Sequence, residues 1–508
     1  MKKFFLTLFA FFCTIQKSMA FNLDAQIEKY VTPVSDKIFS IIFFPVTLFG
    51  VEIPLIIIWI IAAGLIFTFY FRWIGIWGLK HSIDILKKPK EDKADGEISP
   101  LGALMAALSG TVGLGTIAGV AISISMAGPG VAFWIMFGAI LGMTLKFAEV
   151  SLSLKYRKFL PDGTIAGGPM HFIAHGLTRR KMRWLGQPLA VVFAFTCIGG
   201  ALTGGNMIQI NQTTRQIINI TGGDNGLLHG FNWIIGLACA ILVGVIIIGG
   251  VKSITKVAMK AVPFMIYLYL AAAVIIILVN WQNIPNSIYV MLHDAFLPRT
   301  MAVGGIFNVI IWGMRRSVQT NEAGTGSAPI VYAPAQTDEP ISQGFIALIE
   351  PFLTGIVCLL SAGIIITSGV YLTVPAGATG VNGIELTSAA FESVFPWFKY
   401  ILSFIVILFA LTTVITWAYY GQKAWNYIVG EGKKRTLFYQ VSFLIFSVVG
   451  SVVNAKTIIN LTDSMMLGMA VPTCLAMYFM LKELKVDLIE YCKKYEVKSI
   501  ITGGWFKK

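Results

Sequence analysis

The sequence predicts an all-α integral membrane protein, and two observations support this prediction. The chain has 508 residues, of which 56% are hydrophobic and only 13% are charged. A soluble protein of this length would need more charge to cover its surface. The charged residues are also concentrated between long apolar stretches, which is typical of membrane spans joined by short loops.

The N-terminus has the three parts of a secretory signal peptide. Lys2 and Lys3 form a basic start, residues 4–12 form a short apolar core, and residues 18–20 read Ser-Met-Ala, which resembles a cleavage site. We therefore predict a signal peptide at 1–20 and a protein of the bacterial cytoplasmic (inner) membrane, with its mature N-terminus outside. The alternative is an uncleaved extension that does not span the membrane.

Nearly uncharged stretches that are long enough to cross a bilayer as helices occur about eleven times. They lie at 53–74, 101–127, 130–154, 188–213, 231–251, 258–280, 302–334, 344–373, 398–421, 437–457 and 463–481. The segment 21–100 therefore holds one extra transmembrane helix and a basic loop, and residues 482–508 form a basic tail.

Basic residues predict the orientation of these spans. Lys and Arg cluster in alternate loops, around 80–93, 155–158, 179–183, 252–260 and 423–435, and again in the tail. By the positive-inside rule these segments and the C-terminus face the cytoplasm. The net charge of +14 has the same explanation, because the basic residues do not form a face that would bind nucleic acid.

Ten of the spans divide into two groups of five, at 101–300 and 301–481. The first group begins inside and the second begins outside, so the two groups are inverted. The first span of each group is rich in glycine, which is a poor residue for a helix interior. Two interrupted spans in matching positions of inverted halves indicate the binding site of a secondary transporter.

The first interrupted span reads Ser-Gly-Thr-Val-Gly-Leu-Gly-Thr-Ile-Ala-Gly over residues 109–119. Amides that are freed at a helix break suit a substrate carboxylate, and freed carbonyls suit a small cation. The alternative is that these small residues only allow close helix packing.

The second interrupted span reads Arg-Arg-Ser-Val-Gln-Thr-Asn-Glu-Ala-Gly over residues 315–324. Charged residues inside an apolar span are functional candidates. Arg316 and Glu322 are therefore candidates here, and the uncharged Asn321 is a further functional candidate in the same segment. The alternative is that Arg316 and Glu322 form an internal charge pair that only fixes the broken helix.

Two further spans carry polar candidates. Thr412 and Thr413 lie on the span at 398–421, and Thr413 shares a helix face with Trp417. Hydroxyl oxygens suit Na⁺, although threonine in a span often bonds back to its own helix. Gln209 lies in a run of amide side chains, which orient a polar ligand or join helices.

With these segments the chain resembles the alanine or glycine:cation symporter family, also called the sodium:alanine symporters. The motifs are Gly-Glu-Ile-Ser-Pro at 96–100, the segment 113–121, Gly-Pro-Gly at 128–130 with Phe-Trp at 133–134, Gly-Gly-Pro-Met at 167–170, Gly-Asn-Met at 205–207, Pro-Phe-Met at 263–265, the segment 321–330, Gln-Gly at 343–344 and the segment 409–421.

The resemblance implies a leucine-transporter-like fold with two inverted five-helix repeats and one extra N-terminal helix. It also implies import of alanine, glycine or a similar small neutral amino acid with Na⁺ or H⁺ by alternating access. The implied substrate site is formed by Thr111, Gly113, Leu114, Gly115, Thr116, Gln209, Gln319, Thr320 and Trp417, with the amides near Leu114 and Gly115 on the carboxylate. The implied Na⁺ ligands are the carbonyls of Ser109 and Val112 and the hydroxyls of Thr412 and Thr413.

Several positions depart from the family pattern. Thr116 stands where the family usually has Asn, and Leu353 where it has Asp. Residues 317–320 read Ser-Val-Gln-Thr instead of Gly-Leu-Phe-Ser, and residues 134–136 read Trp-Ile-Met instead of Trp-Met-Trp. A larger or more polar amino acid is therefore an alternative substrate.

Other classes of function fit the sequence less well. An uncoupled facilitator and a transporter-like sensor are the alternatives to a symporter. The sequence has no GxxxxGK[ST] loop for a primary pump and no evident nucleophile and base for an enzyme, so we expect no catalytic residues. Without a CxxC pair we expect no cysteine metal site and no covalent cofactor. The expected partners are an amino acid, a monovalent cation and the lipid bilayer.

Overall fold

A computed structural model describes residues 29, 31–48, 51–87, 95–161, 163–223, 226, 228, 230–297, 305–373, 383–453 and 455–497. In this part of the chain nearly all regular structure is α-helical. The predicted signal peptide lies outside the described residues, as do parts of the basic loop before residue 95 and the end of the tail.

The chain enters the helical bundle through a hairpin. Helix α1 (31–42) leads to the antiparallel strands β1 (Pro45–Leu48) and β2 (Val51–Pro54). Helix α2 (Leu55–Tyr70) follows and bends by 69° into α3 (Ile74–Lys87). The bend falls at Arg72 and Trp73, whose positive φ angles of 50° and 59° end α2.

Helices of the first predicted group follow in order. They are α4 (Pro100–Thr111), α5 (Ala118–Ala127), α6 (Val131–Lys155), α7 (Pro169–Arg179), α8 (Arg183–Leu202), α9 (Ile208–Ile220), α10 (Asn232–Ile247), α11 (Gly250–Val279) and α12 (Ile284–Phe296), with strands β3 (Lys158–Phe159) and β4 (Ile165–Ala166) between α6 and α7. The short helices α7 and α12 connect longer ones and had no counterpart in the sequence prediction.

Helices of the second predicted group complete the bundle. They are α13 (Gly305–Asn321), α14 (Pro329–Tyr332), α15 (Pro340–Ala347), α16 (Ile349–Thr367), α17 (Ile384–Glu392), α18 (Phe398–Val429), α19 (Lys433–Val452) and α20 (Ala455–Lys494). Helix α20 continues without a break past residue 481, where the sequence predicted the end of a span.

The number of spans agrees with the sequence. In the described residues, seven helices are long and apolar enough to cross a membrane, and the bent pairs α2–α3 and α4–α5 raise this number to nine. The other two predicted spans correspond to α10, a shorter apolar helix, and to the interrupted pair α13–α14. The protein is therefore a multi-pass helical membrane protein.

The two interrupted helices lie side by side in the interior. Helix α13 contacts α4, α5 and the turn between them, and α6 packs along α13, α15 and α16. Helix α18 packs against α4, α8, α9 and α11. The breaks in both interrupted helices therefore face the same interior region.

The start of α6 carries a close contact with α12. Trp134 donates a hydrogen bond from Nε1 to the Ala295 carbonyl at 3.0 Å. A Cβ placed on Gly130 would lie only 2.3 Å from the backbone carbonyl carbon of Asp294. Only glycine fits here without a backbone shift.

We predict that Gly130→Ala lowers the thermal stability of the detergent-purified protein, because overpacking against backbone costs about 1–3 kcal/mol. The control is Gly363→Ala on α16, whose added Cβ would meet only the mobile tip of Ile277, at 3.2 Å. Thermal unfolding measures both variants. Equal melting temperatures would contradict the tight contact between α6 and α12.

Candidate functional site

The first helix break lies between α4 and α5. Helix α4 begins at a side-chain cap, where the Ser99 hydroxyl accepts from the Gly102 amide at 3.1 Å. It ends at Thr111, and a single 3₁₀ turn (Leu114–Thr116) leads into α5 at an angle of 56°. A Cβ on Gly113 would lie 2.4 Å from the Thr413 hydroxyl of α18, so glycine allows α18 to approach the break.

The second break follows α13. Glu322, Gly324 and Gly326 have positive φ angles of 53°, 83° and 86°. Glycine adopts this conformation readily, whereas for a glutamate it is unusual and needs support from the surroundings. The chain then resumes as α14 with Pro329 in its first turn.

Side chains replace the backbone hydrogen bonds that the second break loses. The Ala323 amide donates to the Asn321 side-chain oxygen at 2.9 Å. The Thr325 hydroxyl donates to the Glu322 carbonyl at 2.7 Å, and the Thr473 hydroxyl of α20 donates to the Thr325 carbonyl at 3.0 Å. The side chain of Asn321, a predicted site residue, therefore stabilises the second break.

A cavity of about 70 Å³ lies between the two breaks. It has room for on the order of five water molecules, which suits a small organic molecule. Seven of the nine predicted substrate-site residues line it, together with three other candidates. Its lining includes Thr111, Gly113, Leu114, Gly115, Gln209, Arg316, Gln319, Glu322, Thr413 and Trp417.

The amide of the first break has a side-chain acceptor. Leu114 donates from its backbone amide to Gln209 Oε1 at 3.3 Å. The same side chain donates from Nε2 to the Gly204 carbonyl at 3.0 Å. Gly204 belongs to a π-helical turn (Thr203–Met207) that joins α8 to α9, and such turns are frequent at functional sites.

Trp417 is held in place from two sides. Its Nε1 donates to Glu322 Oε1 at 3.1 Å, and Ser327 donates to the other carboxylate oxygen of Glu322. On the opposite side the π-helical turn presses against the side chain, because a Cβ on Gly205 would lie 2.2 Å from the Trp417 Cβ. The indole is fully buried and forms part of the cavity wall.

The predicted Na⁺ ligands are only partly brought together. The Thr413 hydroxyl donates to the Ser109 carbonyl at 3.1 Å, and Val112 is buried at the end of α4 beside them. Thr412 instead donates to the Leu408 and Phe409 carbonyls of its own helix, at 2.9 and 3.1 Å. The neighbouring Thr416 hydroxyl lies 2.5 Å from the Ser109 hydroxyl.

Two other predicted substrate residues use their hydroxyls locally. Thr116 donates to the Gly113 carbonyl at 2.8 Å, and Thr320 donates to the Ser317 carbonyl at 2.9 Å. Neither residue lines the cavity.

Arg316 and Glu322 do not form the internal pair that was one interpretation of the sequence. Arg316 donates from Nε to the Ser123 hydroxyl at 3.2 Å. Within the described residues no ion pair joins Arg316 to Glu322, whose carboxylate accepts from Ser327 and Trp417.

Several residues of the site were not predicted from the sequence. Gln212, Thr462, Asp463 and Met466 also line the cavity, and Asp463 forms a buried ion pair with Arg315. The contribution of α20 depends on tertiary packing, so a single sequence gives no signal for it. Three buried charged residues near the second break were also missed, although charge inside an apolar span marks them: Lys146, Glu149 and Glu350.

The fold defines the class of protein. The structure is similar to the crystal structure of MhsT in complex with L-phenylalanine, with a TM-score of 0.55 and 15% sequence identity. The similarity covers 76% of this chain and 89% of that chain. At this identity the similarity concerns the fold alone, and it confirms the predicted leucine-transporter-like membrane fold.

The family follows from sequence similarity. The model of the sodium:alanine symporter family matches residues 40–500, and the chain belongs to this family. It is 33% identical over 425 residues to the sodium/alanine symporter AgcS of Methanococcus maripaludis, across 84% of this chain and 91% of that protein. It is 30% identical over 442 residues to "Probable sodium/glutamine symporter GlnT" of Bacillus subtilis, across 87% and 88%. The protein is thus a cation-coupled amino-acid symporter and not an enzyme.

We predict that Gly205→Ala raises the KM of Na⁺-driven amino-acid uptake by on the order of tenfold, a loss of about 1.4 kcal/mol in binding. The added methyl group would displace Trp417 from the cavity wall. The matched control is Gly200→Ala, whose Cβ would make only ordinary contact with the same indole, at 3.5 Å. Initial uptake rates measure both variants, and equal KM values would show that the indole position does not affect binding.

Proposed function

We propose that the protein imports a small neutral amino acid of the alanine or glycine type, in symport with Na⁺ or, as the alternative cation, H⁺. The observation that carries this proposal is the small cavity between two helix breaks, lined by residues of both. The name of AgcS, a sodium/alanine symporter, agrees with this substrate class.

The first break supplies the proposed carboxylate site. The amides of Leu114 and Gly115 lie at the turn that precedes α5, and both residues line the cavity. A carboxylate oxygen would replace Gln209 Oε1 as the acceptor for the Leu114 amide. Trp417 and Gln319 would then form the wall beside the substrate side chain.

The same break supplies the proposed Na⁺ site. Carbonyl and hydroxyl oxygens are suitable ligands for hard cations. The Ser109 carbonyl and the Thr413 hydroxyl already lie together at 3.1 Å, and Val112 contributes its carbonyl. Thr412 joins this set only if its hydroxyl leaves the carbonyls of its own helix.

We propose alternating access as the transport mechanism, with the two breaks as the sites of bending. The positive-inside pattern supports a cytoplasmic-membrane protein with the C-terminus inside. The predicted repeats at 101–300 and 301–481 would then move relative to each other around the cavity.

The test is uptake of a panel of radiolabelled amino acids into proteoliposomes, with an imposed Na⁺ gradient and separately with a pH gradient. Accumulation of alanine or glycine that depends on the Na⁺ gradient is the expected result. Equilibration without accumulation would identify a facilitator instead. Binding without transport would identify a sensor.

One observation favours a second candidate substrate with a polar side chain. Gln319 lines the cavity, and its Oε1 is buried without a hydrogen-bond partner in the described residues. Leaving such an atom unpaired is costly, so a substrate that donates a hydrogen bond there would gain affinity. The name of GlnT agrees with this candidate.

We predict that Gln319→Phe shifts uptake towards alanine and glycine, because it replaces the unpaired amide with an apolar ring. Competition by unlabelled serine, asparagine and glutamine should weaken relative to competition by alanine. The comparison variant is Gln440→Phe, whose amide bonds to Gln422 away from the cavity. An unchanged competition profile in Gln319→Phe would refute the assignment of Gln319 to the wall of the substrate site.

We predict that Thr413→Ala raises the Na⁺ concentration for half-maximal uptake by on the order of tenfold. The variant loses a hydroxyl ligand and the contact with Ser109. Thr412→Ala, one residue away on the same helix, should have a much smaller effect because its hydroxyl bonds within its own helix. A larger effect in Thr412→Ala would assign the site to that residue instead.

A further inference from the structure

A group of buried charged residues lies beside the second break. Lys146 and Glu149 belong to α6, and Glu350 belongs to α16. All three are completely buried. None of them lines the substrate cavity, and neither the substrate site nor the Na⁺ site described above uses them.

Two carboxylates in or beside this group, those of Glu350 and Glu322, accept hydrogen bonds from side chains. Glu350 forms an ion pair with Lys146 at 3.3 Å and accepts from the Tyr332 hydroxyl at 3.0 Å. Glu322 accepts from Ser327 and Trp417. The single ammonium group of Lys146 is therefore already matched to Glu350.

Glu149 lacks such donors. No side chain in the described part of the chain donates a hydrogen bond to either of its oxygens. The backbone amide of Gly324 faces its carboxylate, and Lys146, Glu350 and Glu322 lie within electrostatic range. The Cys474 thiol of α20, which donates to the Gly324 carbonyl at 3.5 Å, is also within electrostatic range. With all three carboxylates ionised, this region would hold two uncompensated negative charges.

The position of Glu149 connects it to the moving part of the proposed mechanism. Helix α6 runs along the second break. A Cβ on Gly142 would lie 2.9 Å from the Ala323 Cβ, and a Cβ on Gly324 would lie 3.3 Å from Leu145. One turn further along α6, Ser153 donates to the Pro329 carbonyl at 2.9 Å. Glu149 therefore lies between two contacts that join α6 to the break.

A carboxylic acid costs far less to bury than a carboxylate without side-chain donors. We propose that Glu149 is a proton-binding site: its carboxylate holds a proton while the second break packs against α6. The proton leaves to water when the break moves away. Protonation of Glu149 thus favours the closed arrangement seen here, and deprotonation opposes it.

The inference rests on the proposed transport function, because it is tested through transport. Na⁺-driven uptake is measured in proteoliposomes with equal pH on both sides, from about pH 5.5 to about pH 8.5, a range in which a buried carboxyl group can titrate. We expect wild-type uptake to fall several-fold as the pH rises, because the proton required for closing is lost. The proton concentration is the only variable, so no proton gradient contributes.

Variants of Glu149 separate a proton site from a structural role. Glu149→Gln stays neutral and can still accept from the Gly324 amide, so its uptake should be independent of pH. Glu149→Asp retains a carboxyl group and should restore pH dependence. The control is Glu392→Gln, at a partly exposed carboxylate paired with Lys399, which should retain the wild-type profile.

The possible outcomes are distinct. A flat profile for Glu149→Gln with a pH-dependent profile for Glu149→Asp supports the proton site. A wild-type profile in Glu149→Gln, or no pH dependence in the wild type, overturns it and leaves the symport function intact. A changed Na⁺ requirement at fixed pH in Glu149→Gln would assign a metal cation to Glu149 and also overturn it. No uptake by the wild type with any amino acid would instead refute the proposed function.

Discussion

A peptide group that leaves a helix inside a membrane protein needs a new hydrogen-bond partner, because the surrounding lipid offers none. Both interrupted helices of this protein meet that constraint with groups from other helices. Gln209 of α9 and Thr413 of α18 serve the first break, and Thr473 of α20 serves the second. The helices that surround the breaks are therefore fixed by the same contacts that shape the cavity, and the site and the fold are stabilised together.

The buried charged side chains also need polar partners, and different residues have different kinds of partner. Arg315 is paired with Asp463, and Lys146 with Glu350. Glu322 has neutral donors in place of a cation. Because buried ion pairs add little net stability, these pairs are not an evident source of stability for the fold.

Sequence patterns were sufficient to predict the spans and both helix breaks. A long apolar stretch indicates a membrane span, and glycine within it indicates an interrupted helix. Such patterns also singled out Gln209, Glu322, Thr413 and Trp417, and the family resemblance added Gln319. The structure brings all five to one cavity. The patterns could not show that Thr412 turns to its own backbone while Thr413 faces the first break, because adjacent threonines differ only in rotational position around α18. Glu149 was open to prediction by its charge alone, but its lack of side-chain donors depends on contacts between α6, α16 and α20, which one sequence does not contain.

The hydrogen bond between the Leu114 amide and Gln209 Oε1 has a consequence for the proposed binding and release of the substrate. In the proposed carboxylate site, a substrate oxygen would replace Gln209 Oε1 as the acceptor, so the number of hydrogen bonds to the break would stay the same. Gln209 would accept from the amide again as the substrate leaves, so release would not leave this amide without a partner. In this proposed arrangement the first break would keep its polar partner in both the loaded and the empty state of the carrier.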